Sequence, residues 1–166
     1  MKRLWAPWRI QYIKGPPPRD CIFCTLPQDG RDREHRILHQ GTRAFVILNT
    51  FPYNSGHLMV VPHRHVADLG ALADDEILEV IHLTTAAMEA IQGAYGSAGF
   101  NVGANIGRAA GAGIVDHVHL HVVPRWVGDT NFMPVLGEVK VLPEDLSVTY
   151  DRLSQALHAV LARRAE

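Results

Sequence analysis

Val115-Asp116-His117-Val118-His119-Leu120-His121-Val122-Val123-Pro124 alternates imidazoles with aliphatic side chains, and its reading decides the fold. Strict period-2 alternation ended by a proline predicts a strand over Val115–Val123. Side chains two apart on a strand share a face, at a spacing of about 6.5 Å. His117, His119 and His121 therefore point one way. Val118, Leu120 and Val122 point the other way, toward a core.

Working outward, the residues before this strand are small: Gly103-Ala104-Asn105-Ile106-Gly107-Arg108-Ala109-Ala110-Gly111-Ala112-Gly113. Such a loop lets backbone N–H groups approach a phosphate closely, though it lacks the Gly-Lys-Ser/Thr ending of a P-loop. Further upstream, Ile37-Leu38, Ala44–Leu48 and His57–Val61 read as short strands, and Phe100–Ile106 as another. Ile77, Ile81, Thr84, Met88, Ile91 and Tyr95 recur at helical spacing, so they predict the core face of a long helix. Asp74, Asp75 and Glu76 suit its N-terminus and Gly96 its C-terminal end. Tyr150, Leu153, Leu157 and Val160 predict a C-terminal amphipathic helix. Runs of strands with helices set apart imply an antiparallel α+β fold.

The chain has 166 residues, enough for one domain with a real core. We expect an aromatic N-terminal arm and Pro-rich linker over residues 1–20, then a single domain over 21–166. Hydrophobic residues make up 47% and charged residues 20%, with a net charge of −1. That balance gives no electrostatic case for nucleic acid or an anionic membrane as partner. No apolar run reaches the length of a membrane span, and the basic N-terminus is broken before an apolar signal core can form. The expected location is the cytoplasm.

Three aligned imidazoles admit three readings: a solvated strand face, metal ligation by an HxH pair, or nucleophilic catalysis at phosphorus. The Gly/Ala loop directly before them supports the third. The two cysteines, Cys21 and Cys24, form a C-x-x-C that fits either a redox pair or half of a zinc site. A reducing compartment disfavours a structural disulfide, and the preceding Pro-rich linker does not supply the strand-to-helix context of a redox pair.

The histidine–aliphatic pattern of His117–Val123 resembles the defining motif of the histidine-triad (HIT) proteins. Gly56-His57-Leu58-Met59-Val60-Val61-Pro62 is similar to that family's second element, and Cys21-Ile22-Phe23-Cys24 to the opening of its zinc-bearing bacterial members. Leu4–Arg9 and Pro124–Phe132 resemble the branch acting on diadenosine tetraphosphate, phosphorylases included. The resemblance implies a HIT-like fold: an antiparallel sheet of about five strands, a long central helix and a C-terminal helix.

It also implies roles. His119 would attack the α-phosphorus and form a covalent nucleotidyl-histidine, His121 would donate to the α-phosphate oxygens, and His57 would orient the triad. Asn49 would hold the ribose hydroxyls, and Asn105 and Gly113 would meet the phosphates. Phe23 and Ile47, with Ile22 and Leu26, would form the slot for the base. Cys21, Cys24, His65 and His117 would ligate a structural zinc, with His63 as the substitute for His65. Arg108 and Arg125 are candidates to reach a polyphosphate. His35, His39, His82 and His158 carry no assigned role.

The implied substrate is an adenosine nucleotide or dinucleoside polyphosphate, with orthophosphate as acceptor. A hydrolase or phosphoramidase using water is the alternative within the class. A nucleotide-binding regulator with little turnover is the alternative outside it. Family members pair as homodimers. One departure stands out: Gly113-Ile114-Val115-Asp116 offers no hydroxyl or amide side chain, where many members place a Ser or Gln against the leaving phosphate.

Overall fold

The computed structural model describes residues 20–129 and 144–166. The expected N-terminal arm and the end of the post-triad segment lie outside these residues. Two one-turn helices open the described chain, α1 (Ile22–Thr25) and α2 (Asp32–His35). Strands β1 (Ile37–Gln40), β2 (Ala44–Leu48) and β3 (Leu58–Pro62) follow, then helix α3 (Asp74–Tyr95). Strands β4 (Gly99–Gly103) and β5 (Leu120–Arg125) and helix α4 (Leu146–Arg164) complete the order. The five strands form one sheet in the order β1-β2-β3-β5-β4, with every pairing antiparallel.

β2 and β3 are buried at every position, because both faces of the sheet are covered. That explains why they read as continuous apolar runs rather than alternating ones. On one face Val46, Leu48, Leu58, Val60, Leu120 and Val122 pack against α3 and α4. On the other, Phe45, Ile47, Met59 and Val61 pack with Phe23 and Ile37, under the chain around Cys21–Leu26. Gly56 turns the chain into β3 at φ 80°, a left-handed value that disfavours any side chain.

α4 buries Thr149, Leu153, Leu157 and Val160, close to the predicted stripe. Asp145 caps it by accepting from the Ser147 N–H at 2.7 Å. Arg163 and Arg164 reach Glu89 on α3, and Arg33 pairs with Asp151.

Two expectations need correction. Ile77 and Ile81 are 38% and 48% exposed; the buried face of α3 carries Val80, Leu83, Thr84, Ala87 and Ile91, with Ala86 and Ala90. α3 is apolar on more than one side, and its alanines allow the closer approach to the sheet. The last strand begins at Leu120 rather than Val115. His117–His119 are irregular because the Val118 N–H donates to the Val66 carbonyl at 2.7 Å instead of entering the ladder. The same strand runs through Pro124 to Arg125.

Candidate active site and metal centre

The sheet positions two groups of side chains on the face away from α3. In the first, one ligand atom each from Cys21, Cys24, His65 and His117 lies within 4.8 Å of all the others. Sγ of Cys21 is 3.3 Å from Nδ1 of His117, and Sγ of Cys24 is 3.3 Å from Nδ1 of His65. A tetrahedral zinc with two sulfur and two nitrogen ligands sets neighbouring ligand atoms roughly 3.4–3.8 Å apart, so the group fits such an ion. The tautomer fits too. Nε2 of His117 donates to the Pro62 carbonyl at 2.8 Å, leaving the unprotonated Nδ1 toward the cysteines. His63 takes no part: its ring stacks on Phe45, and its Nε2 contacts the Gly41 carbonyl.

The second group is a relay of imidazoles with defined proton positions. Nδ1 of His119 donates to the His117 carbonyl at 2.9 Å, so Nε2 holds the lone pair. Burial pushes the His119 pKa below its ordinary value, which keeps the ring neutral and nucleophilic. Tyr53 donates its backbone N–H to Nδ1 of His57 at 3.0 Å, so the proton of the neutral His57 sits on Nε2. That Nε2 lies 3.0 Å from Nδ1 of His121 and donates to it. His121 in turn carries its proton on Nε2. The His119 and His121 rings stand 4.9 Å apart, edge to face. The arrangement leaves a lone pair on Nε2 of His119 beside an N–H on His121.

Both rings line a cleft of about 520 Å³. Phe23, Ile47, Asn49, Asn105 and Gly113 line it as well, with Ile22 and Leu26. The structure thus brings together His121 and the residues expected at the base and ribose and beside the phosphates, apart from the two arginines. The Phe23 ring also lies tilted 5.1 Å from His119 and edge-on 5.5 Å from His117, linking the apolar slot to both groups. Asn49 Oδ1 accepts from the Phe51 N–H at 2.9 Å, and its Nδ2 stands 3.4 Å from Nε2 of His57.

Two candidates fall outside the cleft. Arg125 is held by Asp129 at 2.6 and 2.8 Å and by Asn101 at 2.7 Å. Arg108 begins a 3₁₀ turn and is not among the lining residues. Sequence reasoning missed Tyr53, Met59 and Ile114, which line the cleft. The signal for Met59 was the pairing register, which places it opposite both Ile47 and His121. Tyr53 acts through its backbone and through its ring, stacked 4.7 Å from His57, and nothing in the sequence pattern marks either contact.

The profile of the HIT domain matches residues 31–127. The chain belongs to the histidine-triad family. As a HIT protein it is 40% identical, over 158 residues, to an AP-4-A phosphorylase of Mycobacterium tuberculosis, covering 90% of this chain and 80% of the relative. It is 30% identical to an adenosine 5′-monophosphoramidase of Schizosaccharomyces pombe, covering 76% of this chain and 96% of that one. Among solved structures, it resembles a zinc-bound histidine triad family protein from Mycobacterium smegmatis. That match has a TM-score of 0.69 at 25% identity and covers 87% of this chain and 97% of the other. The HIT fold expected from the sequence is the fold observed.

Proposed function

We propose that this HIT protein cleaves dinucleoside polyphosphates, diadenosine tetraphosphate among them, by nucleotidyl transfer through His119 with orthophosphate as acceptor. One observation carries the reading: Nε2 of His119 is a neutral lone pair on the wall of a nucleotide-sized cleft, beside a donor from His121. The 40% identity to an AP-4-A phosphorylase supports the substrate and the acceptor.

In the first half-reaction Nε2 attacks the α-phosphorus. An N–P bond forms, the bond from that phosphorus to the bridging oxygen breaks, and ATP leaves. His121 donates to the equatorial oxygens as their charge shifts. In the second, an orthophosphate oxygen attacks the same phosphorus, the N–P bond breaks, and ADP forms. Asn49 holds the ribose, Asn105 and the Gly113 backbone meet the phosphates, and Phe23 and Ile47 flank the base. With no hydroxyl or amide side chain over Gly113–Asp116, the leaving phosphates rely on backbone N–H groups.

Cys21, Cys24, His65 and His117 would hold a structural zinc, which closes four ligands and supplies no open position for chemistry. The edge strand β4, with Val102 45% exposed, supports pairing with a second copy as a homodimer. None of the described helices is long and apolar enough to cross a membrane.

Product analysis tests the function. Wild type should convert diadenosine tetraphosphate to ADP and ATP only when orthophosphate is present, and His119→Ala should not. AMP and ATP formed regardless of orthophosphate would make the enzyme a hydrolase. Saturable binding without turnover or a covalent adduct would make it a binding protein.

A further inference from the structure

His35 had no role in the sequence reading, yet it lines the cleft together with Glu34 and Arg36. Pairing places these residues at the base end. Ile37 stands opposite Ile47, and the Arg36 carbonyl accepts from the Leu48 N–H at 3.0 Å, beside the proposed ribose ligand Asn49.

The His35 ring is fixed. Its Nε2 contacts the Asp29 carboxylate, and only 18% of the side chain is exposed. Asp29 is held in turn by the Arg31 backbone N–H at 3.0 Å and the Arg31 guanidinium at 2.8 Å. Arg31 also reaches Glu34 at 3.1 Å. Arg36, directly after His35, ends α2 in the left-handed conformation at φ 61°, and its N–H donates back to the Arg33 carbonyl at 3.2 Å, which fixes where the helix stops and β1 begins.

We infer that His35 reads the base: oriented by Asp29, it presents Nδ1 to the six-position of a bound purine and selects a 6-amino over a 6-oxo base. The inference rests on the nucleotidyl-transfer reading above. A carboxylate against Nε2 requires the proton there, so in the neutral ring Nδ1 is an acceptor. The exocyclic amino group of adenine donates to an acceptor. The carbonyl of hypoxanthine faces it lone pair to lone pair and leaves both unsatisfied. The apolar walls, Phe23 and Ile47, hold any purine by its faces and cannot tell the two apart. His35 is thus a specificity-determining residue and Asp29 its positioning residue.

The test compares kcat/KM for diadenosine and diinosine tetraphosphate, which differ at the six-position and the protonation that follows from it. Wild type should prefer the adenine substrate by about tenfold, the scale of one buried hydrogen bond made or lost. His35→Phe keeps the ring volume and should bring the ratio within about twofold of unity by lowering kcat/KM on the adenine substrate about tenfold while leaving that on the hypoxanthine substrate near its wild-type value. Asp29→Ala frees the ring and should lower the ratio in the same direction, which a purely structural role would not do. An unchanged ratio in both variants overturns the inference, as does a wild type that turns over both substrates equally. If His35→Phe fails to fold, the Asp29→Ala ratio decides alone. A wild type that turns over neither substrate removes the nucleotidyl-transfer reading, and this one with it.

Discussion

His57 shows how much one side chain decides without touching the reacting phosphorus in the proposed reaction. Its Nδ1 is occupied by the Tyr53 N–H, so its Nε2 proton fixes the tautomer of His121. His57→Phe preserves an aromatic ring against Tyr53 and removes that proton. With the donor on His121 no longer fixed, kcat on diadenosine tetraphosphate should fall about 10–100-fold, with KM changed much less. Steady-state kinetics check this; a change confined to KM would assign His57 to binding instead. The sequence marks His57 by its place in Gly56–Pro62, but the direction of each hydrogen bond depends on Tyr53, which no motif singles out.

At the scale of elements, the N-terminus of α3 anchors the chain that carries His65. Glu76 accepts from the Ala73 N–H at 2.7 Å and from Arg64 at 2.9 Å, one residue before His65. The Arg64 hydrogen bonds, then the backbone N–H, hold the Glu76 carboxyl down at about 2. A depressed carboxylate adds stability that is present above its unfolded pKa of about 4.3 and lost as pH falls toward 2. The difference in thermal midpoint between wild type and Glu76→Gln should therefore be largest near neutral pH and shrink between pH 4.5 and 2. A gap that stays constant across that range would show that the carboxylate charge contributes nothing. In the helical layer that α3 shares with α4, Leu157 is 1% exposed within the core. Leu157→Ala should cost about 2–5 kcal/mol by transfer and cavity terms, read by denaturant unfolding. It should leave the cleft chemistry intact at temperatures where the protein remains folded. α4 was legible because only one of its faces is apolar. α3 was misread because Ile77 and Ile81 share its helical period with Thr84, Ile91 and Tyr95, and only the sheet selects which side is covered.

For the molecule as a whole, the proposed zinc centre joins the segment at Cys21, the chain after β3 and the irregular approach to β5. His117 would ligate through Nδ1 while its carbonyl holds His119, so the proposed metal group and the proposed nucleophile share one residue's backbone. Purified protein should carry close to one zinc per chain by elemental analysis. Cys24→Ser should lower both the zinc content and the thermal midpoint, with activity falling in parallel. Full thermal stability in a zinc-free Cys24→Ser protein would show that the cluster is not structural.

The sequence by itself determined the α+β class, the five strands, the family and that Phe23, Ile47, Asn49, Asn105, Gly113, His119 and His121 meet in one cleft. These follow from local periodicity and from motifs whose spacing survives any detail of packing. Only the tertiary structure decided where β5 begins, because the Val66 carbonyl competes for the Val118 N–H across a long chain separation. It alone removed His63 and Arg125 from the site: the remote Gly41 carbonyl holds His63, and Arg125 is held by the nearby Asp129 carboxylate and the remote Asn101. It alone brought His35 into the cleft, through the register of β1 on β2. Periodicity encodes which face a side chain takes; the partner it finds there depends on residues brought together only by folding.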